Sequence, residues 1–302
     1  MLLNRNSKIG LFGKNNPDKT KELFIYDFNN HNKKALDNYS DWKAKGISRD
    51  GKKIAIITIS PSTRAYRDHL IIMDHNNENI LLDTHDYLIY DIEFNASGNQ
   101  VLIIADKKKP FCYDLSLNKI TAELPKLIRA YKGDLDIEND IFIAPCEKTK
   151  DTCYLFNFNN GKTETIKFGT KEIITRVKYS IDYAFLYLIT NSNLLYCFDR
   201  NYKLKWSKDF NSLGKAGGRI NASKIFSTED GKYLAVEASS TETNQWGAEY
   251  VIDSENGEII KQIEGYQFRG RFSHDFFDNK ILLYKYGTID LLSGEVSKNP
   301  IF

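Results

Sequence analysis

Seven times along the chain, a run of three or four apolar or aromatic residues ends in Asp or Asn and passes into a polar turn. The copies are LFIYDFNN with Asp27, LIIMDHNN with Asp74, FCYDLSLN with Asp114, YLFNFNNG with Asn157, LYCFDRNY with Asp199, YVIDSENG with Asp253 and GTIDLLSG with Asp290. Successive landmarks lie 47, 40, 43, 42, 54 and 37 residues apart. The mean period of about 44 is that of a unit of four short strands, which cannot bury its apolar faces alone and must stack against its neighbours.

A second landmark precedes six of the seven. The stretches GISRDGKKIAIIT, IEFNASGNQVLIIA, LDIENDIFIA, VKYSIDYAFLYLI, KIFSTEDGKYLAVEA and GRFSHDFFDNKILLYKY each read as strand, tight turn, strand. Asp50-Gly51 and Asp230-Gly231 are strong hairpin turns, because Gly accepts positive φ. Each unit thus reads as strand A, turn, strand B, loop, strand C ending in Asp or Asn, turn, strand D. Two residues before the landmarks stand Ile25, Ile72, Cys112, Leu155, Cys197, Val251 and Thr288, a mostly apolar column on one face of strand C. The expected fold is all-β, a seven-bladed β-propeller of four-stranded antiparallel blades forming one domain over residues 1–302. The first unit shows only faint inner strands at Met1–Leu3 and Ile9–Gly13, which leaves six blades plus an irregular N-terminal unit as the alternative. The ring closes either with a first unit that supplies its own inner strand or with Met1–Leu3 completing the last blade, and Pro300–Phe302 is a candidate final outer strand.

The landmark acids are expected to be turn-makers rather than a catalytic set, since Asp or Asn at a strand end accepts hydrogen bonds from backbone N–H groups two residues on. Cys112 and Cys197 fill column slots held elsewhere by Ile, Leu or Val and read as small buried hydrophobes. Cys146 and Cys153 end strand B and begin strand C of one unit, so they face each other across a hairpin; a disulfide there is a minor alternative. His69, His75 and His85 share a unit, but their spacings match no helical metal motif and the segment is extended, so no metal site and no cofactor are expected. The glycine-rich stretch Leu213–Arg219 lacks the Gly-Lys-Ser/Thr ending and a following helix, and reads as a connection between blades.

With 42 basic and 40 acidic side chains the chain is nearly neutral, so no global field draws it to nucleic acid or membrane. No apolar run approaches a membrane span, and MLLNRNSKIG lacks the apolar core of a signal peptide. A cytoplasmic monomer is the expectation.

The units resemble WD-repeat propellers, which place Asp after the third strand, although Trp never precedes it here. SRDGKKIAIIT (48–58) followed by LIIMD (70–74) is similar to the repeats of TolB and of prolyl oligopeptidase propellers. LLYCFDRNYKLKWSKDF (194–210) looks like a quinoprotein (PQQ) blade. The resemblance covers nearly the whole chain as architecture and implies a propeller. It does not carry over an activity: adjacent Cys residues, which quinoprotein dehydrogenases use, are absent, and no Gly-x-Ser-x-Gly peptidase turn follows.

In a propeller the B–C and D–A loops emerge on one face and the A–B and C–D turns on the other. Here the long connections are B–C and D–A. They carry Arg64, Tyr66 and Arg67, then Arg129 and Tyr131 with Lys132, then Lys215 and Arg219, then Trp246, and finally Tyr266, Arg269 and Arg271. Loops on a rigid scaffold commonly bind, and Tyr, Trp and Arg are enriched at interface hot spots. These residues are the candidate partner-binding set. The leading expectation is a non-enzymatic protein-binding propeller whose partner is unknown; one version, by analogy, is a bacterial immunity or accessory protein that caps a toxin. The alternatives are an enzyme or small-ligand binder using a central channel lined by Asp91, Glu93, Asp134, Asp136, Arg176, Lys178, Lys224 and Arg271, or nucleic-acid binding by the basic loops.

Overall fold

The computed structural model describes residues 2–4, 7–15, 21–39, 42–59, 68–105, 109–125, 133–146, 149–213, 218–240, 247–264, 274–277, 279–283 and 287–297. Among these residues the strands assemble into seven four-stranded antiparallel sheets, each hydrogen-bonded in strict chain order. This is a seven-bladed β-propeller, as the repeat predicts.

Blade 1 joins β1 (Leu2–Asn4), β2 (Ile9–Asn15), β3 (Lys21–Asp27) and β4 (Asn32–Ala35). Blade 2 joins β5 (Lys43–Ile47), β6 (Lys53–Ile59), β7 (Asp68–Asp74) and β8 (Asn79–Tyr87). Blade 3 holds β9 (Ile89–Phe94), β10 (Gln100–Ala105), β11 (Phe111–Asp114) and β12 (Lys119–Glu123). Blade 4 holds β13 (Asp134–Asp136), β14 (Ile141–Pro145), β15 (Thr152–Asn157) and β16 (Lys162–Lys167). Blade 5 runs through β17 (Ile174–Tyr179), β18 (Phe185–Thr190), β19 (Leu194–Asp199) and β20 (Leu204–Asp209). Blade 6 runs through β21 (Gly218–Ser227), β22 (Tyr233–Ser240), β23 (Gly247–Asp253) and β24 (Ile259–Glu264). Blade 7 is β25 (His274–Phe277), β26 (Lys280–Leu283), β27 (Gly287–Asp290) and β28 (Val296–Ser297).

The first unit is therefore a complete blade, and β1 pairs with β2 of that same blade rather than with the last one. The outer strand of blade 7 is Val296–Ser297; Pro300–Phe302 lies outside the described residues.

The chain divides into two compact units. The first comprises residues 1–131, 137–142 and 155–164; the second comprises 132–136, 143–154 and 165–302. In each, apolar layers fill the space between successive blades. In the first unit, alternate residues of β6 serve different neighbours. Ile54 and Ile56 pack with Leu11, Leu23 and Ile25 of blade 1, whereas Ala55 and Ile57 pack with Ile92, Phe94 and Val101 of blade 3. A middle strand buried on both faces explains the unbroken apolar run Ile54–Ile57, since period two sends successive side chains to opposite layers. In the second unit, Tyr187, Cys197 and Trp206 of blade 5 pack against Leu234, Val236 and Tyr250 of blade 6.

The strand C column is buried at Ile25, Ile72, Cys112, Cys197 and Val251, and half-buried at Leu155 and Thr288. All four cysteines are free and buried, so Cys146 and Cys153 form no disulfide.

Candidate functional site

Within each blade the two ends differ, because one end is pinned by its own side chains. At all seven C–D turns the landmark residue accepts a backbone N–H from two residues on. The pairs are Asn29 to Asp27 (2.8 Å), Asn76 to Asp74 (3.0 Å), Ser116 to Asp114 (2.9 Å), Asn159 to Asn157 (2.8 Å), Asn201 to Asp199 (2.8 Å), Glu255 to Asp253 (2.8 Å) and Leu292 to Asp290 (3.1 Å). The turn-making role read from the sequence is thus met in every blade.

The A–B turns share a second device. Ser48, Asn95, Ser180 and Thr228 each directly follow strand A, and each accepts through its side-chain oxygen the N–H five residues on, of Lys53, Gln100, Phe185 and Tyr233 respectively. The fourth residue of three of these turns is Gly51, Gly98 or Gly231, all at positive φ. The next blade then clasps the turn. In the first unit Ala96 N–H donates to Asp140 Oδ1 at 2.7 Å, and Asn95 Nδ2 donates to Asp140 Oδ2 at 3.2 Å. In the second, Ile181 N–H donates to Ser227 Oγ (2.7 Å) and Glu229 N–H to Asn279 Oδ1 (3.2 Å).

The opposite end of each blade is where the B–C and D–A connections leave, and the longest spans are here. Residues 60–67 separate β6 from β7, 124–133 separate β12 from β13, 210–217 separate β20 from β21, 241–246 separate β22 from β23, and 265–273 separate β24 from β25. Arg64, Tyr66, Arg67, Arg129, Tyr131, Lys132, Lys215, Trp246, Tyr266, Arg269 and Arg271 lie outside the described residues. Of the candidate set only Arg219 has a described backbone, paired with Ser239 in the β21–β22 ladder.

Where the loop end of a blade is described, one cluster stands out that the sequence did not signal. His69 lies near the start of β7, and Asp83 and His85 near the end of β8. The ladder pairs Ile71 with Asp83, then slips between Asp68 and Leu70, where Leu70 faces Thr84 and Asp68 faces Tyr87. The slip is of one residue, so His85 and Asp86 together stand against His69. His69 Nε2 lies 2.7 Å from Asp83 Oδ1, and His85 Nε2 lies 4.0 Å from the same oxygen. The two imidazoles stack with centroids 3.7 Å apart, and Trp42, from the connection between blades 1 and 2, covers His69 at 4.6 Å. Just before His69, the buried Asp68 accepts the N–H of Ile89 at 2.7 Å and fixes the start of blade 3. His75 is elsewhere, at the turn end, with Nε2 2.7 Å from the Gly51 carbonyl oxygen.

The polar inner-strand residues alternate with apolar ones. Asp91 and Glu93 flank the buried Ile92, and Arg176 and Lys178 flank the buried Val177. Lys178 Nζ pairs with Asp134 Oδ1 at 2.8 Å, and Asp134 Oδ2 also accepts the N–H of Tyr179 at 2.7 Å. Asp134 is therefore engaged in joining blades 4 and 5. Lys224 and Arg271 have no described side chain. Burial pushes the Cys112 thiol up to about 11 and raises Cys153 and Cys197 further, so these three are protonated, weak nucleophiles at neutral pH.

Seven four-stranded blades, each with Asp or Asn at the end of strand C, define a seven-bladed β-propeller. The solved structures agree. The β-propeller domain of Cps50 (Swd1) from Myceliophteria thermophila is similar to this chain with a TM-score of 0.57 at 16% identity, over 83% of this chain and 84% of that one. Hsv2 of Kluyveromyces lactis gives a TM-score of 0.57 at 13% identity, over 84% of this chain and 73% of that one. No protein-family model matches the sequence, and no curated protein is similar to it. Among the described residues no helix is long and apolar enough to cross a membrane.

Proposed function

We propose that the chain is a non-enzymatic, protein-binding propeller that contacts its partner through the B–C and D–A connections. The observation that carries this reading is the asymmetry of the blades. Every C–D turn is locked by its own Asp or Asn, whereas the long connections all leave from the other end. Rigid sheets that present long loops are suited to recognition. Those loops hold Arg64, Tyr66, Arg67, Arg129 and Tyr131 in the first unit, and Lys215, Trp246, Tyr266, Arg269 and Arg271 in the second; Arg219, expected in the connection before blade 6, instead lies at the start of β21, paired with Ser239. The likeness to WD-repeat-like propellers supports an interaction scaffold. In its finer form the partner is a toxin encoded beside this protein, and the chain caps it.

The test is co-purification with the products of neighbouring genes. A stoichiometric partner should be retained by the wild type and lost when Arg67, Arg219 and Trp246 are all replaced by Ala, with the unfolding midpoint unchanged. A partner that stays bound to the triple variant would place the interface elsewhere. Failure of every neighbouring product to bind would remove the toxin version.

A further inference from the structure

We propose that His69, Asp83 and His85 form a site for one divalent transition-metal ion of the zinc class, a property separate from partner binding. The three side chains come from two paired strands of one blade, and one ligand atom from each lies within 4.8 Å of the others. Both imidazoles turn the same nitrogen, Nε2, toward the same oxygen, Asp83 Oδ1. Tetrahedral zinc with bonds of about 2.0–2.1 Å separates its ligand atoms by roughly 3.3 Å. The observed separations of 2.7 and 4.0 Å bracket that value, and the exposed His85 ring must swing out of its stack on His69 for both nitrogens to face one ion.

The surroundings divide the work between a fixed ligand and an adjustable one. His69 is four-fifths buried and held between Trp42 and His85. The His85 side chain is 68% exposed and has room to swing. Two imidazoles and one carboxylate are a nitrogen and oxygen set suited to zinc, copper or nickel rather than to magnesium or calcium. Three protein ligands leave a fourth position open, the arrangement of zinc sites that exchange water or an outside ligand. The register of the β7–β8 hairpin makes the site: Ile71 pairs with Asp83 and Leu70 with Thr84, so the same register continued sets His69 opposite His85, with Asp83 two residues along on the same face. The bound ion would tie β7 to β8 beside the 60–67 connection.

The experiment uses the full chain without a histidine tag and Zn²⁺ alone as the probe. Calorimetric titration should give one equivalent bound. His85→Ala and Asp83→Asn, both at exposed side chains, should each weaken Zn²⁺ by about tenfold or more, while His31→Ala, on the exposed turn of blade 1, should not. Cu²⁺ should quench a component of the tryptophan emission that Trp42→Phe removes, which locates the ion next to His69. Absence of a stoichiometric Zn²⁺ site would overturn the assignment. So would equal affinity in His85→Ala and Asp83→Asn with unchanged unfolding midpoints, or Cu²⁺ quenching that persists fully in Trp42→Phe. In those cases the cluster is only a stacked, hydrogen-bonded packing motif.

Discussion

Asp140 is the residue through which blade 4 clasps blade 3, and its removal should be felt by the whole fold. Its carboxylate accepts two hydrogen bonds, from Ala96 N–H at 2.7 Å and from Asn95 Nδ2 at 3.2 Å. Both Asn95 and Asp140 are buried, so Asp140→Ala leaves two donors without this acceptor where water has little access. Hydrogen bonds to charged groups are each worth about 1.5–3 kcal/mol, and a stranded buried donor costs about 1–3 kcal/mol. The two effects describe the same loss and do not add; allowing for partial relaxation, about 2–4 kcal/mol is expected. The backbone provides an internal control. Asp140 sits at φ 56, a left-handed conformation that costs a residue with a Cβ roughly 1–2 kcal/mol and costs Gly little. Asp140→Gly should therefore be less destabilising than Asp140→Ala by about 1 kcal/mol. Asp140→Asn keeps an oxygen for Ala96 and should lose least. The assay is urea unfolding followed by tryptophan fluorescence, read as a shift in midpoint at constant slope. If Asp140→Ala stayed within about 0.5 kcal/mol of wild type, or if Gly proved worse than Ala, the clasp would not be a stabilising link.

Two further predictions concern the turns. Gly257 is at φ +76, and a Cβ there would lie 2.7 Å from Trp206 Cδ2; the same indole donates to the Ser254 carbonyl at 2.8 Å. Gly257→Ala should thus cost about 2–4 kcal/mol by combining backbone strain with overpacking, whereas Gly169→Ala, at φ +70 with open space around it, should cost only about 1–2 kcal/mol in the same unfolding assay. The second prediction is acid sensitivity. The Ser116 hydroxyl and the Leu117 N–H hold the Asp114 carboxyl below its ordinary range, and the Ser293 N–H does so for Asp290. A carboxyl lowered in the folded state contributes stability above its unfolded value of about 3.9 and loses it as pH falls through the folded value. Stability should therefore drop below about pH 4, and the drop should be shallower in an Asp114→Asn, Asp290→Asn double variant. Identical pH profiles would contradict this account.

The blade architecture was legible because its signals are local. The Asp or Asn ending strand C makes its turn with residues two or three positions on, and Asp50-Gly51 or Asp230-Gly231 closes a hairpin within six residues. Blade 1 was harder, since β1 is three residues long and its A–B turn lacks the Ser/Thr-x-Asp-Gly pattern. What could not be read depends on neighbours distant in sequence. Asp140 meets Ala96 at a separation of 44 residues. Gly257 is shaped by Trp206, a strand of another blade. The His69, Asp83 and His85 cluster depends on the register of the β7–β8 hairpin, which sets His69 opposite His85; helical spacing rules do not describe pairing across a hairpin. For the candidate binding loops, the sequence supplies residue types and connectivity, and the structure adds the long spans between the strands that flank them.

Each of the seven sheets is drawn from one continuous stretch of chain, with no strand lent from the opposite terminus among those described. A cut in any D–A connection would divide the polypeptide into pieces that hold only whole sheets. The sequence is thereby a string of exchangeable cassettes. Gene duplication, loss or splicing at those joints could lengthen or re-order the set without breaking a single ladder, and each cassette would bring its own closed turn end and its own variable loops.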